Sequence, residues 1–495
     1  MTDFLGRLYA APSRRHGSSN VTDESYDRQL RDLVAYLRQP GLVPSTANLN
    51  EYLEAVNPTI HSLSFLYLLR FQIQQNQKRT KRAIPDDLLP GGNLWRHAIM
   101  FLRSFDPVQV RYAAHEWRQL VELIASSAQA ISKPVLAVRL IRDALERLDT
   151  LEVFTSTHLV FVKLALLSSS YAYAVPILDK FLCHFPTSTE HAHSESLLCS
   201  EHGSNAVFVK DTPGFSTNLT YRDHLQFCLY SAMIYMALKK WDQASHSLSA
   251  VISSPTANSV SKIMVEAYKK WILVNLLGHG KLPSPPSLVA PHVLRVYQSL
   301  ARPYISLAEA FEKSDSQNLN AEINIGQSIW RADNNSGLVS QLFEAYDKFV
   351  IIRLGGTFSA LAMSDVLQRA SSCSKAPHDI EEFVVSLVMS NALRATLSHS
   401  SSNGSTAMLR FSMSTQSPVF REEYIRERLI QRRLALNAVA RGISQTDHTL
   451  ELSQEHLHFI AKTQNWNGNF ENPGVVYSKA GGSCDMDEDL MGDDY

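Results

Sequence analysis

Five cysteines in 495 residues (Cys183, Cys199, Cys228, Cys373 and Cys484) are odd in number and scattered. That excludes a disulfide framework and points to a reducing compartment. Charge of one sign is missing too. The 47 Lys and Arg against 48 Asp and Glu leave a net charge of −1, so no global field draws the chain to nucleic acid or anionic lipid. No uncharged apolar run reaches bilayer length. The nearest, 151–175, is interrupted by Glu152, His158 and Lys163 and reads as buried helices. The first twenty residues carry no apolar stretch of the kind a secretory leader needs, so residence in nucleus and cytoplasm is expected. A phosphate-binding P-loop is absent: Gly280-Lys281 lacks both the upstream glycine and the following Ser or Thr. Neither a Gly-x-Ser-x-Gly elbow nor a His-Glu-x-x-His helix occurs. These absences argue against the common hydrolase and nucleotide-binding classes, and no cofactor is expected.

What is present is helical periodicity. From Asp23 to Arg38, Leu30, Leu33, Val34 and Leu37 share one face. Asn57-Pro58 opens a second stretch, with Pro58 suited to a first helical turn and Leu63, Leu66, Leu69 and Ile73 apolar. Asp106-Pro107 reads as an N-cap with proline at the first helical position, followed by a helix through Val110, Ala114, Trp117, Val121 and Ile124. Helices over 132–148, 155–167 and 171–184 continue the series. A weak repeat links Tyr171, Ala174, Leu178, Phe181 and Leu182 to Trp241, Ala244, Leu248, Val251 and Ile252 at constant offset. Aromatic, small, then large apolar is how stacked helix pairs interlock, which predicts a right-handed helical-repeat solenoid of tetratricopeptide or HEAT type. The polar run 187–218 reads as a long loop, and 281–291, with four prolines, as a helix break.

After Gly337 the pattern changes. A helix from Leu338 to Leu354 is expected to end at Gly355-Gly356. A short strand over 358–361, a short helix capped by Ser364, and a helix over 377–389 follow. Leu393, Ala395 and Leu397 then alternate with polar residues, as do Leu409 and Phe411 after a turn at Asn403-Gly404. Helix, strand, helix, helix, hairpin is the order of a winged helix. From Arg421 to Ser444 a charged helix carries Ile425, Leu429, Leu436, Val439 and Ile443 on one stripe, with Arg432 in the gap, and suits a bundle of helices. The end, from Trp466, is glycine-rich and then acidic, the composition of a disordered tail. The fold expected is mainly α, with repeats over 1–218, further repeats over 219–336, a small α+β winged helix over 337–415, C-terminal helices over 416–465 and a tail over 466–495.

Two candidate sites remain. Cys183, His184, His191, His193, Cys199 and His202 are zinc-ligand types in a short span, but their spacing fits no standard site, so solvated loop histidines are the preferred reading and no metal is expected. Lys78-Arg-Thr-Lys-Arg82 has the composition of an import signal or nucleic-acid contact, yet a basic run also suits a helix end. The winged helix raises DNA binding as well. Its would-be recognition helix, 377–389, has Glu381 and Glu382 and no Lys or Arg, which disfavours groove reading.

Two segments, Lys262-Ile-Met-Val-Glu-Ala-Tyr-Lys-Lys-Trp-Ile-Leu-Val274 with the preceding 232–241, and Asp333-Asn-Asn-Ser-Gly-Leu-Val339, resemble the PCI-domain family of COP-9 signalosome subunits, the branch of subunit three. The resemblance spans about 220–415. It implies a helical arm ending in a PCI winged helix that joins neighbouring PCI subunits edge to edge, and a C-terminal helix that enters a bundle. It further implies a hetero-oligomer without nucleic acid or membrane, which acts indirectly on cullin-RING ligases through removal of Nedd8 by a zinc isopeptidase in another subunit. That isopeptidase pattern needs an aspartate eleven residues after His-x-His. His191-Ala-His193 and His456-Leu-His458 place Ser204 and Asn469 there, so this chain is expected to be non-catalytic. The hairpin residues Leu393, Leu397, Leu409 and Phe411 and the helix stripe Ile425, Leu429, Leu436, Val439 and Ile443 are the expected partner contacts. The alternatives are a paralogous subunit of the proteasome lid or of a translation-initiation or mRNA-export complex, and a nucleic-acid-binding winged-helix protein.

Overall fold

The computed structural model describes residues 6–9, 22–39, 46–148, 153–180, 182, 198–199, 214–256, 260–313, 315–370, 377–390, 392–399, 407–411 and 418–451. Helix succeeds helix from Asp23–Leu37 to Leu342–Thr357, and the described strands lie in one small sheet after that point. No described helix is long and apolar enough to cross a membrane. The apolar run near 151–175 is instead the two buried helices Ser156–Leu167 and Tyr171–Leu178.

Three apolar cores follow one another along the chain up to Val419. The first is threaded by aromatic rings. Phe65, Phe101, Phe105, Trp117 and Phe215 lie in series with centroids 5.6–6.2 Å apart. Helix Tyr221–Ala237 belongs to two cores at once. Phe227 and Ile234 face the first, while Leu225, Leu229, Ala232 and Tyr235 face the second. A helix apolar nearly all round shows little amphipathic signal because it is covered on both sides.

The repeat offset reappears in the turns. Ser169 (φ 52°) and Lys239 (φ 56°) are left-handed residues seventy positions apart, as are Tyr171 and Trp241. In each turn the next N–H reaches back five residues, Ser170 to Ala165 at 3.0 Å and Lys240 to Tyr235 at 2.9 Å. Ser132 and Asn334 build the same turn. This terminator satisfies the last helical carbonyls and sends the chain straight into a new helix. Ala174 and Ala244 are fully buried, and Trp241 lies against Gly278 of helix Lys262–His279, where a Cβ would sit 2.6 Å away. Phe181, the fourth position of the first repeat, lies outside the described residues.

Several helix boundaries differ from expectation. Pro58 sits in a turn closed by Asn57, whose Oδ1 accepts from Thr59 N at 3.0 Å, and the helix begins at Ser62. Asp106 does cap, accepting from Val108 N at 3.1 Å, but that helix stops at Val110 and resumes at Ala114 after a 3₁₀ turn. Helix 171–184 ends at Leu178 among the described residues. Leu338–Leu354 is two helices, Ser336–Ser340 and Leu342–Thr357. The second runs through Gly355-Gly356, so the glycines are no C-cap. A Cβ on Gly355 would meet the Phe411 ring at 2.8 Å, so the glycine lets the sheet approach the helix. Ser364 lies inside helix Met363–Ala370 rather than capping it.

The break at 281–291 stands as expected. Helix Lys262–His279 ends on Gly280 (φ 68°), and the next helix starts with Pro291 at its first position. The C-terminal helix Pro418–Glu451 is longer than the expected 421–444. Almost all of it falls in a second unit, Phe420–Tyr495, described by itself.

Candidate functional site

The wing is a three-stranded antiparallel sheet in which β3 (Ala407–Phe411) lies between β1 (Ala360–Ala362) and β2 (Ala395–His399). Leu361, Leu409 and Leu397 stand in one row across the three strands. Period-2 alternation sends Leu409 and Phe411 inward and Met408 and Arg410 outward. The hairpin turn at 403–404 lies outside the described residues.

Leu393, Leu409 and Phe411 therefore belong to the wing's own core, packed with Val366, Val384 and Leu387, and Leu397 is half-buried against it. The small module fills its interior with these apolar side chains. What the hairpin leaves for a neighbour is backbone. Among the described residues no strand pairs with the outer side of β2 or of β1, which makes both of them edges of the described sheet. Between them the outward face carries Arg394, Thr396, Ser398, Met408 and Arg410. On the helix at recognition position, Glu382 is exposed and Glu381 half-buried.

The stripe on Pro418–Glu451 is different. Ile425, Leu429, Leu436 and Ile443 are 48–68% exposed, and Val439 is half-buried. Ile430 and Leu434, which the stripe reading passes over, are exposed as well. An apolar face of this breadth on one helix is a surface in want of a partner.

The sequence reading misses a buried polar network in the second half of the helical arm. The two family-like segments meet in it, through pairs 64 and 65 residues apart. Lys269 Nζ pairs with Asp333 at 2.8 and 3.0 Å, and Lys270 Nζ donates to Asn335 Oδ1 at 3.0 Å and to Glu266 at 2.8 Å. Tyr304 closes the circuit: its hydroxyl donates to Asp333 at 2.8 Å and accepts from Asn335 Nδ2 at 2.8 Å. Burial and the Asp333 carboxylate push the Tyr304 hydroxyl far above its ordinary pKa, so it stays a donor. Asn335 is fully buried and Lys270 nearly so. In the later helix Leu342–Thr357, Arg353 donates to the Gly280 and Glu312 carbonyls at 3.2 and 3.4 Å, and a Cβ on Gly280 would strike Phe349. The signal was there in the sequence as a pair of lysines amid apolar positions, since a buried cation needs partners nearby.

Of the six zinc candidates only Cys199 is among the described residues. Its thiol is buried and donates to the Asp23 carbonyl at 3.1 Å. Cys183, His184, His191, His193 and His202, and the pair His456 and His458, lie outside them. No group of three metal-ligating side chains occurs among the described residues. The described part of 187–218 is anchored: Arg111 donates to Leu198 O at 2.8 Å, and Arg118 to Gly214 O at 3.0 Å. The basic run 78–82 sits at the end of helix Ser62–Thr80, with Lys81 left-handed (φ 53°) and Arg82 paired to Asp86 at 2.9 Å.

Residues 27–293 match the family described as COP9 signalosome complex subunit 3, N-terminal helical repeats. COP9 signalosome complex subunit 3 of Emericella nidulans is 67% identical over 494 residues, covering 100% of both chains. The protein of that name from Neurospora crassa is 24% identical across 86% of this chain and 82% of its own. That of Dictyostelium discoideum is 25% identical across 75% and 79%. A match over most of the helical arm and full-length likeness at two-thirds identity place the chain in a family: it belongs to the COP9 signalosome complex subunit 3 family.

Proposed function

We propose that the chain is a non-catalytic scaffold subunit of a COP9 signalosome, a hetero-oligomer in which another subunit removes Nedd8 from cullins. The observation that carries the reading is the exposed apolar stripe Ile425, Leu429, Leu436 and Ile443 on a long helix. Such a face gains stability only when another helix covers it. The wing, read as a PCI module, supplies the second contact by strand addition at an open sheet edge. Cullin-RING ligases are reached indirectly, through the assembled complex. Residence in nucleus and cytoplasm is part of the reading, and it is supported by Cys199 and Cys228 standing outside any disulfide, as suits a reducing compartment.

Affinity purification of the tagged chain with mass spectrometry tests this. Co-recovery of the other signalosome subunits, isopeptidase included, is expected. Recovery of proteasome lid or translation-initiation proteins in their place would overturn it. Imaging of the tagged chain tests the location, and confinement to a membrane-bound organelle refutes that part.

A further inference from the structure

Helix Pro418–Glu451 carries more than its apolar stripe. Between Arg426 and Arg441 stand five arginines and one acidic residue, Glu427. Arg426, Arg428, Arg432, Arg433 and Arg441 are all exposed. Helical spacing sets Arg428 and Arg432 on one side of the line through Leu429 and Leu436, and Arg426 and Arg433 on the other. Glu422, Ile425, Arg426, Leu429, Ile430 and Arg433 line one shallow groove of about 320 Å³. Arg428 and Arg432, four residues apart, repel each other until something neutralises them. An apolar line between two rows of guanidinium groups fits an occupant that brings apolar side chains and carboxylates together.

The chain itself contains a segment of that composition. Asp485, Asp487, Glu488, Asp489, Asp493 and Asp494 are six carboxylates, and Met486, Leu490 and Met491 stand among them. The segment lies outside the described residues. It is tethered within reach of the helix. Arg433 stands eighteen residues before Glu451, about 27 Å back along the helix axis. Thirty-three residues separate Glu451 from Asp485 and can span up to about 110 Å. Being part of the same chain, the segment meets the helix without the cost of a bimolecular encounter. A nucleic-acid backbone would neutralise the arginines but leave Leu429 and Leu436 uncovered.

We propose that in the unassembled chain residues 485–494 fold back onto this arginine-flanked stripe, their carboxylates on Arg426, Arg428, Arg432 and Arg433 and their apolar side chains toward Leu429 and Leu436. The segment shields the stripe until a partner helix displaces it. The shielding rests on the stripe being the partner contact proposed above, whereas the fold-back contact does not.

The contact is tested in the full chain carrying Asn437→Cys, an exposed position one turn beyond Arg433. A bismaleimide reagent is offered the new thiol and the native Cys484 beside the acidic run, and the products are mapped by peptide mass spectrometry. A link between 437 and 484 within one chain is expected in dilute solution at low salt. It falls about threefold or more at about 1 M salt, when the six carboxylates are replaced by their amides, and in Arg428→Gln with Arg432→Gln and Arg433→Gln. No such link, a link equally abundant under all of these conditions, or a link only between two copies of the chain would overturn the proposal. Shielding is read separately, as the rate at which the tagged chain enters its complex in timed co-purification. That rate is expected to rise severalfold with the amide tail, and an unchanged rate overturns the shielding. Failure of the chain to join a signalosome at all leaves the link unaffected, so the two failures are told apart.

Discussion

Replacing Lys270 by methionine isolates the energetics of the buried polar network in the arm. Methionine keeps most of the aliphatic stem, so the packing loss is small. What goes is the ammonium group, and with it a 3.0 Å hydrogen bond to Asn335 Oδ1 and a 2.8 Å contact to Glu266. Glu266 is about half exposed and water takes over its charge, so that contact contributes little. Asn335 is 0% exposed, and its oxygen is left without its lysine donor. An unmatched buried acceptor costs about 1–3 kcal/mol, so Lys270→Met is expected to destabilise by roughly 2 kcal/mol. In urea unfolding of the full chain the midpoint falls while the slope is unchanged. Asn335→Ala removes the other half, and in the double variant the losses do not add; a coupling of about 1–2 kcal/mol is expected. Additivity of the two within about 0.5 kcal/mol refutes the claim that this lysine is held for that asparagine.

Four further outcomes follow from particular contacts. Gly355→Ala drives a Cβ against the Phe411 ring at 2.8 Å and is expected to lose about 1–3 kcal/mol, whereas Gly356→Ala meets nothing within 4 Å and is neutral or stabilising; thermal unfolding of the pair decides. Lys239→Gly relieves a left-handed lysine and is expected to stabilise by about 1 kcal/mol, readable in the same melts. Leu429→Glu with Val439→Glu is expected to release the chain from its complex in co-purification while its own melting temperature stays put; a lower melting temperature means that the stripe packs internally. Burial holds the His158 imidazole down at about 3, so between pH 7.5 and 5.5 only the unfolded chain takes up that proton, and stability falls as pH drops through the unfolded value. The loss attributed to this group is about 1.4 kcal/mol. His158→Gln keeps an acceptor at the third position of the Thr155 cap and removes that share, as urea midpoints at the two pH values show.

The parts of the fold legible in the sequence are those fixed by local chemistry. Alternation at Ala395–Leu397 and Leu409–Phe411 gives the strands because each residue's face follows from its neighbour's. Asp106 caps because its carboxylate lies two residues from the N–H it accepts. Gly355-Gly356 misleads for the opposite reason. The pair has the composition of a helix end, but the deciding contact is with Phe411, fifty-six residues on, and no local pattern contains it. The same holds for the partner contacts. The stripe Ile425, Leu429, Leu436 and Ile443 is legible because its spacing lies within one helix, Pro418–Glu451. Leu393, Leu409 and Phe411 cannot be told from a docking surface by periodicity, since an inward and an outward apolar face have the same period; only their neighbours Val366, Val384 and Leu387 decide.

That distinction changes where specificity must come from. A sheet edge offers the same N–H and C=O pattern to any strand, so it supplies affinity without choosing a partner. Beside the edge, the outward face carries the exposed Arg394, Met408 and Arg410. Within the helical arm, a buried lysine–asparagine–tyrosine network ties helix Lys262–His279 to the turn before Ser336–Ser340. Polar networks of this sort add little net stability over an apolar core, yet they admit one arrangement in which every member is satisfied. Such a restriction gives a physical reason for two lysines side by side in a largely apolar helix.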